Sequence, residues 1–197
     1  MTAAPKIRFT PEEYLARERV SEFRSQYYRG EIFAMAGGNE RHSDISVNLV
    51  WRLSQRLEGS GCKVLDKDMR IKVTANGLYT YPDASVVCGG PQFEDEKRDT
   101  LLNPIVIFEV LSPSTADYDR GTKFELYRGL ESLREYIVVA QEHPFIERHV
   151  RQADDSWLLT EVRGIDQSLT IEAIGCTLPL GEIYRGITFG PPPECER

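Results

Sequence analysis

A carboxylate set inside an uninterrupted apolar run is the feature that most limits what this chain can become. After Pro104 the sequence reads Ile-Val-Ile-Phe-Glu-Val-Leu, and Glu109 is the one polar side chain in residues 105–111. An apolar run without alternation suits a strand covered on both faces, as in the middle of a sheet layered between other elements. A lone carboxylate there is costly unless it is paired, protonated or bound to a metal ion. A nearby arginine or a backbone donor would satisfy it as well as a cation would, so Glu109 alone leaves both readings open.

The surrounding pattern places that strand in a mixed α/β (α+β) domain. Thr10-Pro11-Glu12-Glu13 has the form of a helix start, with Thr as N-cap, Pro in the first turn and Glu13 closing a capping box. Two extended stretches, 24–28 and 31–35, flank a turn at Arg29-Gly30. Residues 42–58 carry Ile45, Leu49, Leu53 and Leu57 at four-residue steps, which predicts an amphipathic helix. Strands are expected at 63–65, 69–73 and 84–87, with Asn76-Gly77 as a turn. The polar stretch 89–103 reads as a loop, and a helix is expected over 117–129. Strands at 135–139, 146–150, 157–163, 168–171 and 176–178 make the C-terminal half β-rich. With 197 residues and no internal linker, the expectation is one domain over 1–189 and a flexible tail over 190–197, where Gly190-Pro191-Pro192-Pro193 cannot build a core.

Bulk properties exclude some functions. No apolar run approaches the ~20 residues of a membrane helix, and the N-terminus has no apolar leader, so no membrane partner and a cytoplasmic location are expected. The formal net charge of −7 argues against a protein that coats nucleic acid, though a bound cation would supply local positive charge that this count omits. Cys62, Cys88, Cys176 and Cys195 form no CxxC pair, and Cys62 and Cys88 read as ordinary buried thiols. His42, His143 and His149 have no zinc-site spacing.

The chemistry-bearing candidates gather around Glu109. Tyr81-Pro82-Asp83 opens the strand at 84–87, where proline need not donate to a ladder. A solvent-facing turn aspartate is the competing reading of Asp83. Neighbouring strands lie about 4.8 Å apart, so two carboxylates on one face of adjacent strands can share a divalent cation. An all-oxygen site of this kind suits Mg²⁺ or Mn²⁺, and the Val110 carbonyl could add a third ligand. Asp119, Lys123 and Tyr127 fall at i, i+4 and i+8 of the predicted helix and share one face, from which Lys123 could stabilise phosphoryl charge. A solvated Asp119–Lys123 surface pair is the alternative. Glu31 follows the hairpin turn, and His42 opens the long helix. A neutral His42 could accept a proton or contact phosphate, and an ordinary cap-region histidine is the competing reading.

These residues also carry a family resemblance. Tyr28-Arg29-Gly30-Glu31, Pro82-Asp83, Phe108-Glu109-Val110-Leu111-Ser112-Pro113-Ser114-Thr115, then Asp119, Lys123, Tyr127 and Glu135-Tyr136 resemble the Uma-two (Uma2) family of restriction-endonuclease-like bacterial proteins, within the PD-(D/E)XK phosphodiesterase superfamily. The resemblance spans roughly Phe9 to Phe189. It implies a restriction-endonuclease-like fold with a four-stranded mixed core sheet flanked by helices, Mg²⁺ held by Asp83 and Glu109, and Glu31 as a third acid. One position departs: where the superfamily pattern has a lysine two residues after the second acid, this chain has Leu111, and Lys123 is the expected stand-in.

The leading functional expectation is therefore a Mg²⁺-dependent endonuclease acting on DNA. A nuclease fold serving only as a binding or assembly module is the first rival, motivated by Leu111 and the acidic charge. A small-molecule hydrolase using paired carboxylates is the second. A homodimer is also expected, with Trp157, Leu158, Leu159, Leu169 and Ile171 as its apolar face; closing the domain's own core is their other reading.

Overall fold

In the computed structural model, residues 7–35 and 37–190 are described; the expected tail beyond Gly190 lies outside them. Helix α1 (Pro11–Glu18) is closed by the expected capping box, with Thr10 and Glu13 exchanging hydrogen bonds. Strands β1 (Ser25–Tyr28) and β2 (Glu31–Ala34) form a hairpin around Arg29 and Gly30, at φ of 49° and 88°. Positive φ at both turn residues is what a tight two-residue hairpin needs to match strand twist. Helix α2 (Glu40–Arg56) begins earlier than the apolar period suggests, because the Asn39 side chain accepts from the His42 N–H and caps it.

The next strands are β3 (Cys62–Asp66), β4 (Arg70–Val73), β5 (Leu78–Thr80), β6 (Ala84–Cys88), β7 (Thr100–Leu101) and β8 (Val106–Leu111). Helix α3 (Ala116–Tyr118) passes through one π-helical turn (Asp119–Lys123) into α4 (Phe124–Tyr127). Strands β9 (Glu135–Ala140), β10 (Phe145–Arg151), β11 (Trp157–Arg163), β12 (Ser168–Ile171) and β13 (Cys176–Pro179) follow, then α5 (Leu180–Ile183).

Two larger sheets result. One has the order β11-β10-β9-β8-β6-β3 and is mixed, since β8 and β9 run parallel while its other pairs are antiparallel. It is six strands wide rather than the four implied by resemblance, with β3 and β11 as its edges. The other has the order β2-β1-β5-β4-β7, and β12-β13 form a ribbon.

Strand β8 is buried along its whole length, and its period-two alternation divides it between two cores. Val106, Phe108 and Val110 join the core made with α2, the β12-β13 ribbon and α5. Ile107 and Leu111 join the core shared with β4, β5 and α4. By the same alternation Glu109 sits on the second face, pointed towards the π-turn and α4. Leu169 and Ile171 are fully buried in the first core, which removes them from the apolar face proposed for a partner; Leu158 and Leu159 remain half-exposed on edge strand β11.

Cys62 and Cys88 are not free thiols, as the sequence reading had them, but form a disulfide. They lie directly opposite in the β3–β6 ladder, with Cα atoms 4.0 Å apart. Their pairing skips two intervening strands, so spacing alone did not reveal it.

Near α1, Arg19 grips Asp99 with two hydrogen bonds of 2.8 and 3.0 Å and reaches Asp95 at 2.6 Å. Buried Arg70 lies 3.2 Å from Asp99 and donates to the Thr100 and Tyr81 hydroxyls. This cluster holds Tyr81, the residue from which the chain crosses between sheets. The hydrogen bonds from Arg19 hold the Asp99 carboxyl down at about 2, against the burial that raises it. Among the described residues no helix is long and apolar enough to cross a membrane.

Two outcomes are expected. Replacing Cys62 and Cys88 by Ala opens a link across 26 residues and should lower unfolding free energy by about 2–4 kcal/mol in urea titrations; an unchanged midpoint with and without reductant would show that the bond contributes nothing. Because the folded Asp99 value is depressed, its stabilisation is complete above the ordinary carboxylate value of 3.8 and disappears as pH falls through about 2. Asp99→Asn should therefore lose stability at neutral pH and flatten the acid limb of the stability–pH curve. A wild-type acid limb in the variant would remove Asp99 as its source.

Candidate active site

The chain crosses from the five-stranded to the six-stranded sheet at Tyr81-Pro82-Asp83. Register pairing of β6 with β8 stops at Ala84 and Phe108. Beyond it the Val110 N–H donates to Asp83 Oδ2 at 2.7 Å, so a side chain replaces a missing strand partner.

Glu109 is 3% exposed and meets the helical segment after β8. Lys123 Nζ lies 2.7 Å from Glu109 Oε1 and 3.4 Å from Asp119 Oδ1. The Tyr127 hydroxyl donates to the same Glu109 oxygen at 2.9 Å. The expected i, i+4, i+8 face is thus the face turned to the sheet, and its first two members span the π-turn. Isolated π-turns occur often at functional sites. This one is held from below by Tyr136, whose hydroxyl donates to the Asp119 carbonyl at 2.8 Å.

Burial pushes the Glu109 carboxyl up to about 8, with Lys123 pulling the other way and Asp119 and Asp83 adding to the rise. Burial lowers the Lys123 ammonium, but Glu109 and Asp119 outweigh it and the net direction is upward. Lys123 is therefore the fixed charge and Glu109 the group that titrates. Burial also raises Tyr127 well above its ordinary range, keeping it a donor. Leu111, two residues beyond Glu109 and on its face, is 5% exposed in the apolar core. A lysine there would share that face; here the ammonium arrives from the π-turn.

His42 Nε2 stands 3.3 Å from Asp83 Oδ2. Its ring fills the space beside Gly38, where an added Cβ would fall 2.5 Å from Nδ1. A side chain at position 38 would displace His42 from Asp83.

Asp83, Glu109, Val110, His42, Asp119 and Lys123 all line one cleft of ≈ 470 Å³. Glu31 does not line it. Glu31 pairs with Tyr28 at the hairpin end, on the face that Tyr28 and Gln26 present to the cleft. The sequence reading did not single out the facing wall, formed by Gln26, Tyr28, Phe33, Tyr81 and Tyr118. Alternation in the hairpin could have grouped Gln26, Tyr28 and Phe33; nothing in the sequence says which face meets the carboxylates.

Asp83 and Glu109 thus lie beside the buried Lys123 at the end of a central strand of a mixed sheet. The model of the Uma2 family, described as "Putative restriction endonuclease", matches residues 11–181, and the chain belongs to that family. Two uncharacterized proteins of Synechocystis sp. (strain ATCC 27184 / PCC 6803 / Kazusa) are similar to it. The protein slr1290 is 36% identical over 95% of this chain and 97% of its own length. For sll1609 the figures are 34%, 83% and 92%. The fold also matches a crystal structure of a putative nuclease belonging to DUF820 from Anabaena variabilis ATCC 29413. That match has a TM-score of 0.73 at 15% identity and covers 89% of this chain and 97% of the other.

The raised Glu109 value sets a pH dependence. Unfolded, this carboxyl releases its proton near 4.5; folded, it holds it to about 8. Between those values the native state binds the extra proton, so stability falls as pH rises. Chelator-treated protein should lose unfolding free energy across this window, and Glu109→Gln should flatten the loss. Equal slopes for the two proteins would place the titration elsewhere.

Proposed function

We propose that this protein is a Mg²⁺- or Mn²⁺-dependent nuclease that hydrolyses phosphodiester bonds of DNA. The observation that carries the proposal is the convergence of Asp83, Glu109 and the Lys123 ammonium on one cleft. Asp83 Oδ1 and Glu109 Oε2 accept no hydrogen bond from the described residues, leaving carboxylate oxygens available to a cation. Three acidic side chains, Asp83, Glu109 and Asp119, stand against one ammonium, an imbalance that a divalent ion would relieve. Among the described residues no group of three or more His, Cys, Asp and Glu side chains is placed to hold a metal ion by itself. The ion would therefore rest on two carboxylates with waters and substrate phosphate completing its shell, a donor set that Mg²⁺ accepts.

Asp83, Glu109 and the Val110 carbonyl would hold the ion. Once bound, it would polarise a phosphoryl oxygen and acidify a water molecule. Lys123, charged and fixed between Glu109 and Asp119, places positive charge beside the phosphate and stabilises charge developing there. Tyr127 keeps Glu109 oriented. His42, next to Asp83, can contact phosphate or accept a proton from water. Family membership supports the nuclease reading, and metal use and DNA as substrate are inferred from the donor set and that family.

Calorimetric titration with Mg²⁺ or Mn²⁺, followed by incubation with supercoiled plasmid, tests this reading. Wild type should bind the ion and nick the plasmid. Asp83→Ala with Glu109→Ala should do neither, and Lys123→Met should bind the ion yet lose cleavage by about 10²-fold or more. Ion binding with no cleavage of any nucleic acid would leave a nuclease fold used for binding. No ion binding by wild type, alone or with DNA present, would refute the metal-dependent reading.

A further inference from the structure

The wall opposite the carboxylates has a chemistry of its own. Gln26 and Phe33 are direct cross-strand partners in the β1–β2 hairpin, and Tyr28 lies two residues along on the same face. The hairpin's other face is spent on the core, where Tyr27 and Ile32 pack with Tyr14 and Tyr79. On the cleft face Phe33 is 45% exposed, a large apolar ring left at the rim beside half-buried Tyr28. Tyr118 closes the same space, its hydroxyl accepting from Gln26 Nε2 at 2.5 Å while Gln26 Oε1 accepts from Thr80. The aromatic wall is therefore braced from behind.

Charge points the same way. Lys123 is the one lysine or arginine among the described cleft-lining residues, and Glu109 and Asp119 already hold it. The net charge of −7 gives the chain no overall basic field to draw in the phosphates of a duplex. Stacking on aromatic rings is the other source of nucleic-acid affinity, and it requires a base that is out of its helix.

We infer that the cleft takes an unpaired nucleotide, its base stacked on Phe33 and Tyr28 and its phosphate turned towards Lys123, so that the substrate class is single-stranded or locally unwound nucleic acid rather than intact duplex. This rests on the phosphodiester reading of the site and narrows it.

The test uses the full chain with Ca²⁺ in place of Mg²⁺ and a short fluorescein-labelled oligodeoxynucleotide, single-stranded or annealed to its complement, read by anisotropy. Wild type should bind the single strand at least about tenfold more tightly than the duplex. Phe33→Ala, at an exposed position where folding is not at risk, should weaken single-strand binding by about five- to a hundredfold and leave duplex binding unchanged; Phe33→Tyr should restore it. Duplex binding as tight as single-strand binding, no binding to either, or no effect of Phe33→Ala would overturn the inference. A Mg²⁺ arm separates it from the reading beneath it. Single-strand binding without cleavage would sink the hydrolase and leave the stacking wall. Duplex plasmid nicked equally fast by wild type and Phe33→Ala would keep the hydrolase and sink the wall.

Discussion

Lys123 and Glu109, 2.7 Å apart and nearly inaccessible to solvent, tie the central strand to the helix that follows it. A buried carboxylate without a partner is a large destabilising term, and removing one member of such a pair typically costs several kcal/mol. That constraint accounts for much of the local architecture. The helix must return across the sheet face that carries Glu109. Its π-turn must present Asp119 and Lys123 together, and Tyr136 must satisfy the carbonyl of that turn. Tyr127 supplies the second donor to Glu109. Apolar replacement of a whole buried ion pair is often neutral or stabilising, so the pair is not accounted for by stability alone.

What the sequence made legible follows the range of the physics involved. Glu109 stood out because its run has no alternation, and the face shared by Asp119, Lys123 and Tyr127 followed from helical spacing. Both are local periodicities. The capping box at Thr10 and Glu13 and the turn at Asn76-Gly77 are local as well: Gly77 adopts φ of 75°, and the Asn76 side chain both accepts from the Leu78 N–H and reaches the Leu126 carbonyl. The disulfide was illegible because β3 pairs with β6 across two intervening strands that belong to a different sheet. Strands β5 and β7 and helix α5 are too short for any period to register. The aromatic wall was hidden for another reason. Period two assigns Gln26, Tyr28 and Phe33 to one face of the hairpin, but only the packing of Tyr27 against Tyr14 and Tyr79 decides that this face is the one left for the cleft.

Overall charge and local charge separate cleanly in this molecule. The net value of −7 speaks against phosphate coating and says little about one cleft. Within the cleft the sign is set by Lys123 against Asp83, Glu109 and Asp119, and that balance changes with a proton on Glu109 or with a divalent ion. On the proposed reading both would occupy the same carboxylate and would compete, the proton having the advantage below the raised Glu109 value and the cation above it. Burial thus does two things at once: it makes the pair with Lys123 necessary, and it brings the acid's titration close to neutral pH.

The β1–β2 hairpin shows how the two cleft walls differ in kind. On the carboxylate side, function and stability share the same atoms, because Glu109 and Lys123 are buried, paired and turned to the cleft together. On the hairpin side they are divided by the strand's alternation. Tyr27 and Ile32 hold the hairpin to one core and Tyr28 leans on the edge of another, while Phe33 faces outward and is left exposed. Changes at Phe33 can therefore alter what the cleft accepts without loosening the fold, whereas changes at Glu109 or Lys123 cannot avoid doing both. On the proposed reading, a change of substrate preference is reached most directly at Phe33, whereas loss of either member of the acid–lysine pair alone leaves a buried charge without its partner.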